Sequence, residues 1–389
     1  MNIAYILNST ISNGGATKVF MNMLDMLMPM GVRPFVVLPD HKGIYAELTQ
    51  RGITTLVLTY RASVYPYAVS TKQKALFLPR LSARIIANSR AGRQLESFLR
   101  DNAIDIVHSN TSVVRIGYDA ARRLGIPHIY HIREYADKIG YHYLPNKRSF
   151  RRQLSHDTYT ICITKDIQRY YQQQGKPSSR VIYDGVFSAM TTMPAPLDGD
   201  YFLFAGRIQP AKGLDYLLQA YKTYTGSNAH PLPLKVAGDC SDTLYYHKQM
   251  QFLKENNLEA LVTFLGDCDN IYELMRQARA LIVPTPFEGF GFCMPEAMQQ
   301  GCLVIGRNTS GTKEQLDNAL MMENQEIALR YDTVDQLAER LADVTVTPPS
   351  HFAPMKERAF RVVNQLYTRE AHAKNILQFY HDILHEKNS

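Results

Sequence analysis

The chain has 389 residues, of which 45% are hydrophobic and 20% are charged, and its formal net charge is +7. This length exceeds what one hydrophobic core usually serves, so two domains are expected, and the composition excludes an intrinsically disordered chain. The five cysteines form no C-x-x-C pair and no apolar run reaches about 18 residues, which excludes a disulfide-stapled domain and a membrane-spanning helix.

The first residues predict a strand, a glycine-containing loop and a helix. Residues 2–8 form a short apolar run without a basic leader, so we expect a buried strand here rather than a signal peptide. Residues 9–15 form the loop, apolar residues then recur with helical spacing up to Gly31, and residues 35–38 form the next strand. This alternation indicates a doubly wound α/β domain.

Gly14 and Gly15 lie in that first loop. Because glycine has no Cβ, their backbone allows a ligand to approach closely, and a structural turn is the alternative interpretation. The loop does not match G-x-G-x-x-G, and no acidic residue ends the second strand before its proline. The sequence therefore does not favour NAD binding.

Charge is unevenly divided along the chain. Up to Gly185 there are 25 Lys and Arg against 12 Asp and Glu, a net of +13, whereas the remainder has 18 against 24, a net of −6. The excess is densest from residue 51 to 100, with nine basic residues and one acidic residue. We therefore expect the first half to meet an anionic partner: a membrane surface, a phospholipid-linked acceptor or a nucleic acid.

Two basic clusters stand out in this half: Arg80, Arg84, Arg90 and Arg93, and then Lys147, Arg148, Arg151 and Arg152. At about 100° per residue, the first cluster does not share one face opposite the apolar residues Leu81, Ile85, Leu95 and Phe98. A clean amphipathic membrane helix is therefore not predicted, and a solvated basic surface is the alternative to a binding surface.

Further strands are predicted at 54–58, 104–108, 128–131, 159–163 and 180–183. His131 ends one of them, where an imidazole that faces an interdomain cleft can donate to a substrate hydroxyl or carry a proton. A packed histidine is the alternative, and His108 and His128 fit that packed role better. Asn110, after the strand that ends at His108, is a candidate for holding an acceptor hydroxyl in the same cleft.

The middle of the chain predicts a linker and a second domain. Residues 187–200 lack periodicity and contain several turn formers, so they are expected to be the linker. A second doubly wound set follows, with strands expected at 201–205, 234–237, 262–265, 281–284 and 303–306. A long helical pattern from Lys356 to Lys387, interrupted near Tyr367, closes the chain. The predicted fold class is α/β, with two Rossmann-like domains facing a central cleft.

A basic turn, GRIQPAKG, runs from Gly206 to Gly213, after the first strand of the second set and before a helix. Arg207 can grip a phosphate through two donors, and Lys212 can approach it as a point charge. Such a pair would stabilise the charge that builds on a leaving diphosphate. Two solvated cations at a surface turn are the alternative.

The most informative stretch, LIVPTPFEGFGFCMPEAMQQGCLVIG, occupies residues 281–306 and predicts a strand, a turn, a helix and a strand. Gly289 and Gly291 free the backbone of the turn, and a helix that begins there directs unpaired N–H groups at a ligand such as a phosphate. Glu288 and Glu296 can each accept two hydroxyl hydrogen bonds, which is the pattern that a sugar diol offers. Two such carboxylates beside these amides predict a sugar-nucleotide site.

The residues E-G-F-G-x-x-x-x-E-A-M in this stretch resemble the donor site of family 4 glycosyltransferases, which are retaining enzymes of the GT-B fold. The turn G-R-x-x-x-x-K-G resembles the donor phosphate element of that family. The resemblance also implies that the Gly14–Gly15 loop lies near the donor phosphate, that His131 lies near the donor sugar, and that the C-terminal helix returns to the first domain.

The resemblance implies a hexosyltransferase that moves a sugar from a UDP- or GDP-sugar to an acceptor hydroxyl, with no cofactor and no obligatory metal. Glu288 and the loop of Gly289, Phe290, Gly291 and Phe292 would hold the transferred sugar, Glu296 the ribose, and Arg207 with Lys212 the diphosphate. The expected catalytic residues are Glu288, His131, Arg207 and Lys212. No nucleophile is assigned. The family's usual account of retention is attack from the face that the leaving phosphate occupies, and the sequence neither supports nor excludes a covalent route.

Two triplets, Asp198-Gly-Asp200 and Asp267-Cys-Asp269, match D-x-D, the metal and diphosphate signature of a different glycosyltransferase architecture. The first lies in the expected linker and the second in a loop after a strand, so neither joins the cations already assigned to the diphosphate. We therefore expect no metal site here, and we expect Asp267 to help frame the nucleobase.

The expected organisation is an acceptor-binding domain over 1–186, a linker over 187–200, a donor-binding domain over 201–355 and a helical segment over 356–389 that packs on the first domain. The expected partners are the nucleotide sugar and a lipid-linked or polysaccharide acceptor, and no nucleic acid. A cytoplasmic location is expected, with peripheral contact at the inner face of the cell membrane.

Two alternatives remain open on the sequence alone. A sugar-nucleotide epimerase of the same fold would use the same donor groups, but it has no use for a basic acceptor face. A nucleic-acid-binding protein would explain the basic half, but the chain contains no recognition motif of that class and the donor groups would have no role.

Overall fold

A computed structural model of the chain describes residues 1–12, 14–66, 76–138, 140–155, 158–195, 197 and 199–388. These residues form two compact units. Unit 1 comprises Met1–Gly185 together with Arg369–Ser389, and unit 2 comprises Val186–Thr368. Each unit is built on a parallel sheet with helices, so the predicted α/β class is confirmed.

Unit 1 contains a seven-stranded parallel sheet. The strands described in this unit are β1 Asn2–Ile6, β2 Arg33–Leu38, β3 Thr54–Val57, β4 Val64–Pro66, β5 Ile106–Ser109, β6 His128–Ile132, β7 Tyr141–Tyr143, β8 Tyr159–Cys162 and β9 Ser179–Val181. The sheet order is β3-β2-β1-β5-β6-β8-β9, and β4 and β7 form a separate antiparallel pair. Since the chain order reverses between β1 and β5, the loops that follow these two strands emerge side by side.

Helices pack on both faces of this sheet. They span Gly15–Leu27, Tyr45–Gln50, Phe77–Asp101, Ile116–Leu124, Lys147–Gln153, Lys165–Tyr170 and Arg369–Asn388. Successive residues of β1 point to opposite faces, so Ile3 and Tyr5 join the core under the first and last of these helices. Ala4 and Ile6 join the core under Phe77–Asp101. The uninterrupted apolar run of β1 is therefore explained by burial on both sides.

Unit 2 contains a six-stranded parallel sheet. Its strands are β10 Phe202–Ala205, β11 Leu234–Ala237, β12 Val262–Gly266, β13 Ala280–Val283, β14 Val304–Arg307 and β15 Leu329–Tyr331. Its α-helices are Leu214–Ser227, Thr243–Glu255, Ile271–Gln277, Cys293–Gln299, Ser310–Glu323, Val334–Val346 and Ala353–Leu366. The sheet order is β12-β11-β10-β13-β14-β15. The chain order therefore reverses between β10 and β13, where a crevice for a ligand is expected.

The segment over 187–200, expected to be a linker, belongs to unit 2. Phe187 pairs with Thr368, and Met190 N donates a 2.8 Å hydrogen bond to Asn364 Oδ1. Within this segment, Pro196 and Asp198 lie outside the described residues. Turn formers and missing periodicity indicate only that a segment lacks regular structure, and such a segment still packs when its neighbours offer partners.

The C-terminal helical pattern is divided between the two units. Its break near Tyr367 is confirmed, but the helix before the break, Ala353–Leu366, belongs to unit 2 rather than to a separate segment from residue 356. The helix after the break, Arg369–Asn388, belongs to unit 1, where Ile376 and Tyr380 are fully buried in the core beside Gly15–Leu27. No helix among the described residues is long and apolar enough to cross a membrane.

Candidate active site

Two loops of unit 2 meet at the reversal point of its sheet, one after β10 and one after β13. Gly213 ends the first loop with φ of +72°, and a Cβ at this position would lie 2.6 Å from the carbonyl oxygen of Pro284 in the second. Only glycine fits both the left-handed backbone and this close approach. Gly213 thus lets the basic turn and the glutamate-containing loop lie against each other.

The structure joins two residues for which the sequence predicted separate roles. Lys212 Nζ lies 2.7 Å from Glu288 Oε2, and their side chains are only 25% and 15% exposed. Burial alone would lower the pKa of Lys212, but the charge of Glu288 and its hydrogen bond outweigh burial and raise it. The predicted phosphate-binding cation and the predicted sugar-binding carboxylate therefore form a charge-assisted pair.

Arg207 follows β10 after Gly206, and its side chain is exposed. The charge of Arg207 slightly opposes the raised pKa of Lys212, on which burial, which lowers it, and the charge of Glu288, which raises it, act more strongly. A diphosphate placed here would meet a guanidinium with two parallel donors and an ammonium that is at present bonded to Glu288.

The loop Gly289–Phe292 is held by the helix Ser310–Glu323. Gln315 is 1% exposed, and its Nε2 donates to the carbonyl oxygens of Phe290 and Gly291. Gly291 has φ of +87°, and a Cβ there would lie 2.9 Å from Glu288 Cγ. The hydrogen bonds from Gln315 and the backbone conformation of Gly291 therefore fix the shape of this loop. Gln315 was missed at the sequence level, because nothing in its local pattern distinguishes it from other helical glutamines.

Phe290 belongs to the packing of this loop rather than to its surface. It is 2% exposed, and its ring lies edge-on to Tyr367 with centroids 5.1 Å apart and 5.8 Å from the ring of Phe292. The ring of Phe290 is therefore not available to a ligand, and the contact of its backbone amide with the transferred sugar stays a prediction. Phe292 is partly buried and directly precedes the helix Cys293–Gln299.

Glu296 lies in the first turn of the seven-residue helix Cys293–Gln299, as predicted. Tyr272 donates a 3.2 Å hydrogen bond from its hydroxyl to Glu296 Oε1. This tyrosine was not predicted as part of the site, since it lies 24 positions away on another helix. A carboxylate oriented by a tyrosine retains acceptor capacity for a diol.

Asp267 is exposed in the loop that directly follows β12. It therefore lies at the same carboxyl edge of the sheet as the loops after β10 and β13. Of the other D-x-D triplet, Asp198 lies outside the described residues. Within the ranges that the structure describes, no group of three or more His, Cys, Asp or Glu is arranged to hold a metal ion.

In unit 1, Gly14 is the N-cap of the helix Gly15–Leu27 and follows β1. Its φ is −73°, and a Cβ would meet only ordinary contacts with Ile11 and Thr17, at 3.4 and 3.5 Å. The local backbone therefore does not require glycine at position 14. The ligand-binding role of Gly14 and Gly15 therefore stays a prediction, with Gly15 as the first residue of the helix.

Asn110 and His131 are joined by an arginine that sequence reasoning missed. Arg133 donates to Asn110 Oδ1 at 3.3 Å and to His131 Nδ1 at 3.2 Å, and it forms an ion pair with Asp184. His131 has no exposed surface, and Asn110 is 5% exposed. The sequence signal for this network was H-I-R-E, in which the arginine follows the histidine by two residues on the same face of an extended chain. The catalytic role of His131 and the acceptor role of Asn110 stay predictions.

The C-terminal helix of unit 1 contributes to this buried network. Tyr380 OH lies 2.6 Å from His108 Nδ1, and His108 Nε2 lies 3.1 Å from His131 Nδ1. His372, from the same helix, stacks on His131 with ring centroids 6.0 Å apart. His128 is bonded separately, to Ser109 and Thr158 at 2.8 Å each. The packed roles expected for His108 and His128 agree with these contacts.

We expect stability to fall when the pH drops below about 6.5. Burial lowers the pKa of His128 to about 3, and burial together with the charge of Arg133 holds the pKa values of His108 and His131 well below the usual range. These imidazoles stay neutral in the folded chain but bind a proton in the unfolded chain near pH 6.5. Each such histidine therefore costs roughly 1.4 kcal/mol of unfolding free energy per pH unit below that value.

Urea unfolding at a series of pH values between 7 and 4 measures this slope. His128→Gln, which keeps a side chain able to bond Ser109 and Thr158, is expected to reduce the slope. His230→Gln is the matched control, because His230 is exposed. An equal slope in both variants would contradict the role of burial.

Two family models match the chain and together span most of it. The model described as Glycosyltransferase Family 4 matches residues 13–187, and the model described as Glycosyl transferases group 1 matches residues 192–359. The chain therefore belongs to the family 4-like glycosyltransferases of the GT-B fold.

Curated relatives of the chain are also named as glycosyltransferases. The chain is 28% identical over 225 residues to an uncharacterised glycosyltransferase of Methanocaldococcus jannaschii, which covers 56% of this chain and 60% of that protein. It is 30% identical over 124 residues to O-antigen chain mannosyltransferase B of Escherichia coli, which covers 31% of each chain. The matched regions thus span less than two thirds of either relative.

Among solved structures, the fold is similar to that of Anabaena HepE in complex with UDP. The TM-score is 0.75, the sequences are 18% identical, and the match covers 97% of this chain and 99% of that chain. A similarity at this identity shows the fold alone.

Proposed function

We propose that the protein is a retaining hexosyltransferase that moves a sugar from a nucleoside-diphosphate sugar to an acceptor hydroxyl. The observation that carries this proposal is the pair of Lys212 and Glu288 at the point where the strand order of unit 2 reverses, with Arg207 on the same turn as Lys212. In this proposal, a cation for a diphosphate and a carboxylate for a sugar lie side by side on two loops that the parallel sheet positions. The Anabaena neighbour was crystallised with UDP and with UDP-glucose, which supports a UDP-sugar as the donor.

The proposed roles follow from the chemistry of each group. Arg207 and Lys212 stabilise the negative charge that develops on the leaving diphosphate. Glu288, with the amides of Phe290 and Gly291, holds hydroxyls of the transferred sugar, and Glu296 accepts from the ribose diol. In transfer with retention, the acceptor oxygen forms the new glycosidic bond as the sugar–phosphate bond breaks, and its proton passes to the leaving phosphate.

A panel of UDP-, GDP- and ADP-sugars, screened by thermal shift, tests the donor. A ligand at about 100 times its dissociation constant adds about 2.7 kcal/mol to stability, which is readily measured. The donors that bind are then incubated with and without acceptors. An epimerase would alter the donor alone, whereas a transferase needs an acceptor hydroxyl, for which we propose a lipid-linked saccharide or a surface polysaccharide. Binding of none of these nucleotides would overturn the proposal.

Transfer is expected to survive EDTA. The reason is that Arg207, Lys212 and the loop amides already supply positive charge and hydrogen bonds to the diphosphate. Rates with a bound donor are compared before and after chelation and dialysis. Complete loss of transfer that Mn²⁺ or Mg²⁺ restores would show that the protein groups do not suffice.

A further inference from the structure

The helix Phe77–Asp101 of unit 1 exposes large apolar side chains along one flank, which borders its buried side. Leu78, Ile85 and Ile86 are 69%, 60% and 55% exposed. The inner side of the same helix, with Leu95 and Leu99 fully buried, packs on the sheet. At about 100° per residue, the three exposed aliphatic residues fall within an arc of about 100°. Three such residues on one helix form a patch, whereas a single exposed aliphatic residue would be unremarkable.

Two arginines lie within or beside this arc. Arg93 lies inside the arc of the aliphatic residues, Arg90 lies about 40° beyond Ile86, and both are exposed. No acidic residue occurs from Phe77 through Leu95. Leu78, Ile85, Ile86, Arg90 and Arg93 are called the basic apolar face below.

Arg84 and Arg80 differ from the arginines of this face. Arg84 donates to the carbonyl oxygens of Ala62 and Val64, and its guanidinium lies 5.3 Å from the ring centroid of Tyr65. The hydrogen bonds of Arg84 therefore stabilise a loop of unit 1, and Arg84 is not counted among the residues that would bind a partner. Arg80 is exposed but lies on the flank of the helix, about 80° from Arg90.

We propose that the basic apolar face lies on an anionic phospholipid surface, with the helix parallel to that surface. Aliphatic side chains of this kind reach the boundary between headgroups and acyl chains, while arginines bind the phosphates. A nucleic acid would satisfy the arginines but would leave the branched aliphatic residues against water. A protein partner would satisfy the aliphatic residues but would need matching acidic groups. An anionic phospholipid surface offers phosphates to the arginines and acyl chains to the aliphatic residues.

This inference concerns unit 1 and does not rest on the proposed function of unit 2. Each arginine near an anionic lipid surface contributes to the binding free energy. Loss of both Arg90 and Arg93 should therefore weaken binding to anionic vesicles about 30-fold. Loss of Ile85 and Ile86 should weaken it through the apolar contact, and that loss should persist at high salt. High salt should selectively weaken the contribution of the arginines.

The experiment is co-sedimentation of the full chain with vesicles of phosphatidylcholine, with and without phosphatidylglycerol, at low and high salt. The variants are Arg90→Ser/Arg93→Ser and Ile85→Ser/Ile86→Ser. Matched controls in unit 2 are Lys248→Ser/Lys254→Ser and Leu244→Ser/Val346→Ser, all at exposed positions. Thermal unfolding of every variant reports on folding, and nucleotide binding reports on unit 2. Failure of the proposed function is thereby distinguished from failure of the lipid proposal.

Preferential binding of the wild type to the anionic vesicles, reduced by both face variants and by neither control, is the expected result. Equal binding to both vesicles, no binding to either, or equal loss in the control variants would overturn the proposal. Binding of generic RNA that displaces the protein from vesicles and depends on Arg90 and Arg93, but not on Ile85 and Ile86, would also overturn it.

Discussion

Replacing Arg207 or Lys212 with alanine should slow sugar transfer by about a hundredfold to a thousandfold. The reason is that, in the proposed function, each side chain stabilises the leaving diphosphate as it gains charge, and removing one such group typically costs about 2.7 to 4 kcal/mol in the barrier. The effect is expected in kcat as well as in kcat/KM, because the charge develops only as the bond breaks. Steady-state kinetics with the donor identified by thermal shift measure it.

Lys222→Ala is a matched control, since Lys222 is an exposed cation on the helix that follows the same turn. It should leave the rate unchanged. Activity of both the Arg207 and Lys212 variants within threefold of the wild type would remove these residues from the site. A rate loss accompanied by a lower thermal midpoint would indicate damage to the turn, so unfolding is measured for each variant.

Glu288→Gln is expected to have two opposite effects: turnover falls by about a hundredfold, while the free nucleoside diphosphate binds about fivefold more tightly. Turnover falls because, in the proposed role of Glu288, the carboxylate contacts the sugar at which charge develops. Affinity rises because Lys212, now bonded to Glu288 at 2.7 Å, is released to the phosphate. A partly exposed ion pair is worth about 1 kcal/mol or less, which sets the expected gain. Calorimetric titration with nucleoside diphosphate measures it.

Glu296→Gln is the matched comparison, because it removes the same charge eight residues further along the chain. It should weaken nucleotide binding, since the proposed contact of Glu296 with the ribose is made equally before and during reaction. The same Glu288→Gln change, made in a Lys212→Met variant, separates two explanations for tighter binding: release of Lys212 to the phosphate, and loss of direct repulsion between Glu288 and the phosphate. If Glu288→Gln still strengthens binding there, the carboxylate repels phosphate directly and does not compete for Lys212.

Most strands of both sheets could be predicted, because buried parallel strands read as continuous apolar runs. β13, predicted at 281–284, spans Ala280–Val283. The pair of β4 and β7 was not predicted, because Val64–Pro66 and Tyr141–Tyr143 are three residues each and carry no such run. β15 was missed for a related reason: two of its three residues are only half-buried at the edge of the sheet.

The sequence indicated which residues could belong to the candidate site, but it did not indicate which of them contact one another. The pair of Lys212 and Glu288 joins positions 76 residues apart, and Tyr272 reaches Glu296 from another helix. Such contacts depend on how loops cross at the end of the sheet, which local periodicity does not encode. The network around Arg133 was missed in the same way, since its ion-pair partner Asp184 lies 51 positions away.

The division of the C-terminal helices has a consequence for biosynthesis. Unit 1 is discontinuous in sequence, since Arg369–Asn388 is translated only after the whole of unit 2. At about 5 to 20 residues per second, the ribosome needs roughly 10 to 40 seconds to make Val186–Thr368. During that interval the nascent first unit lacks Ile376 and Tyr380, and the apolar surface that they cover stays open to chaperones or to aggregation. Premature termination before residue 369 would therefore release a complete second unit attached to an uncovered first one.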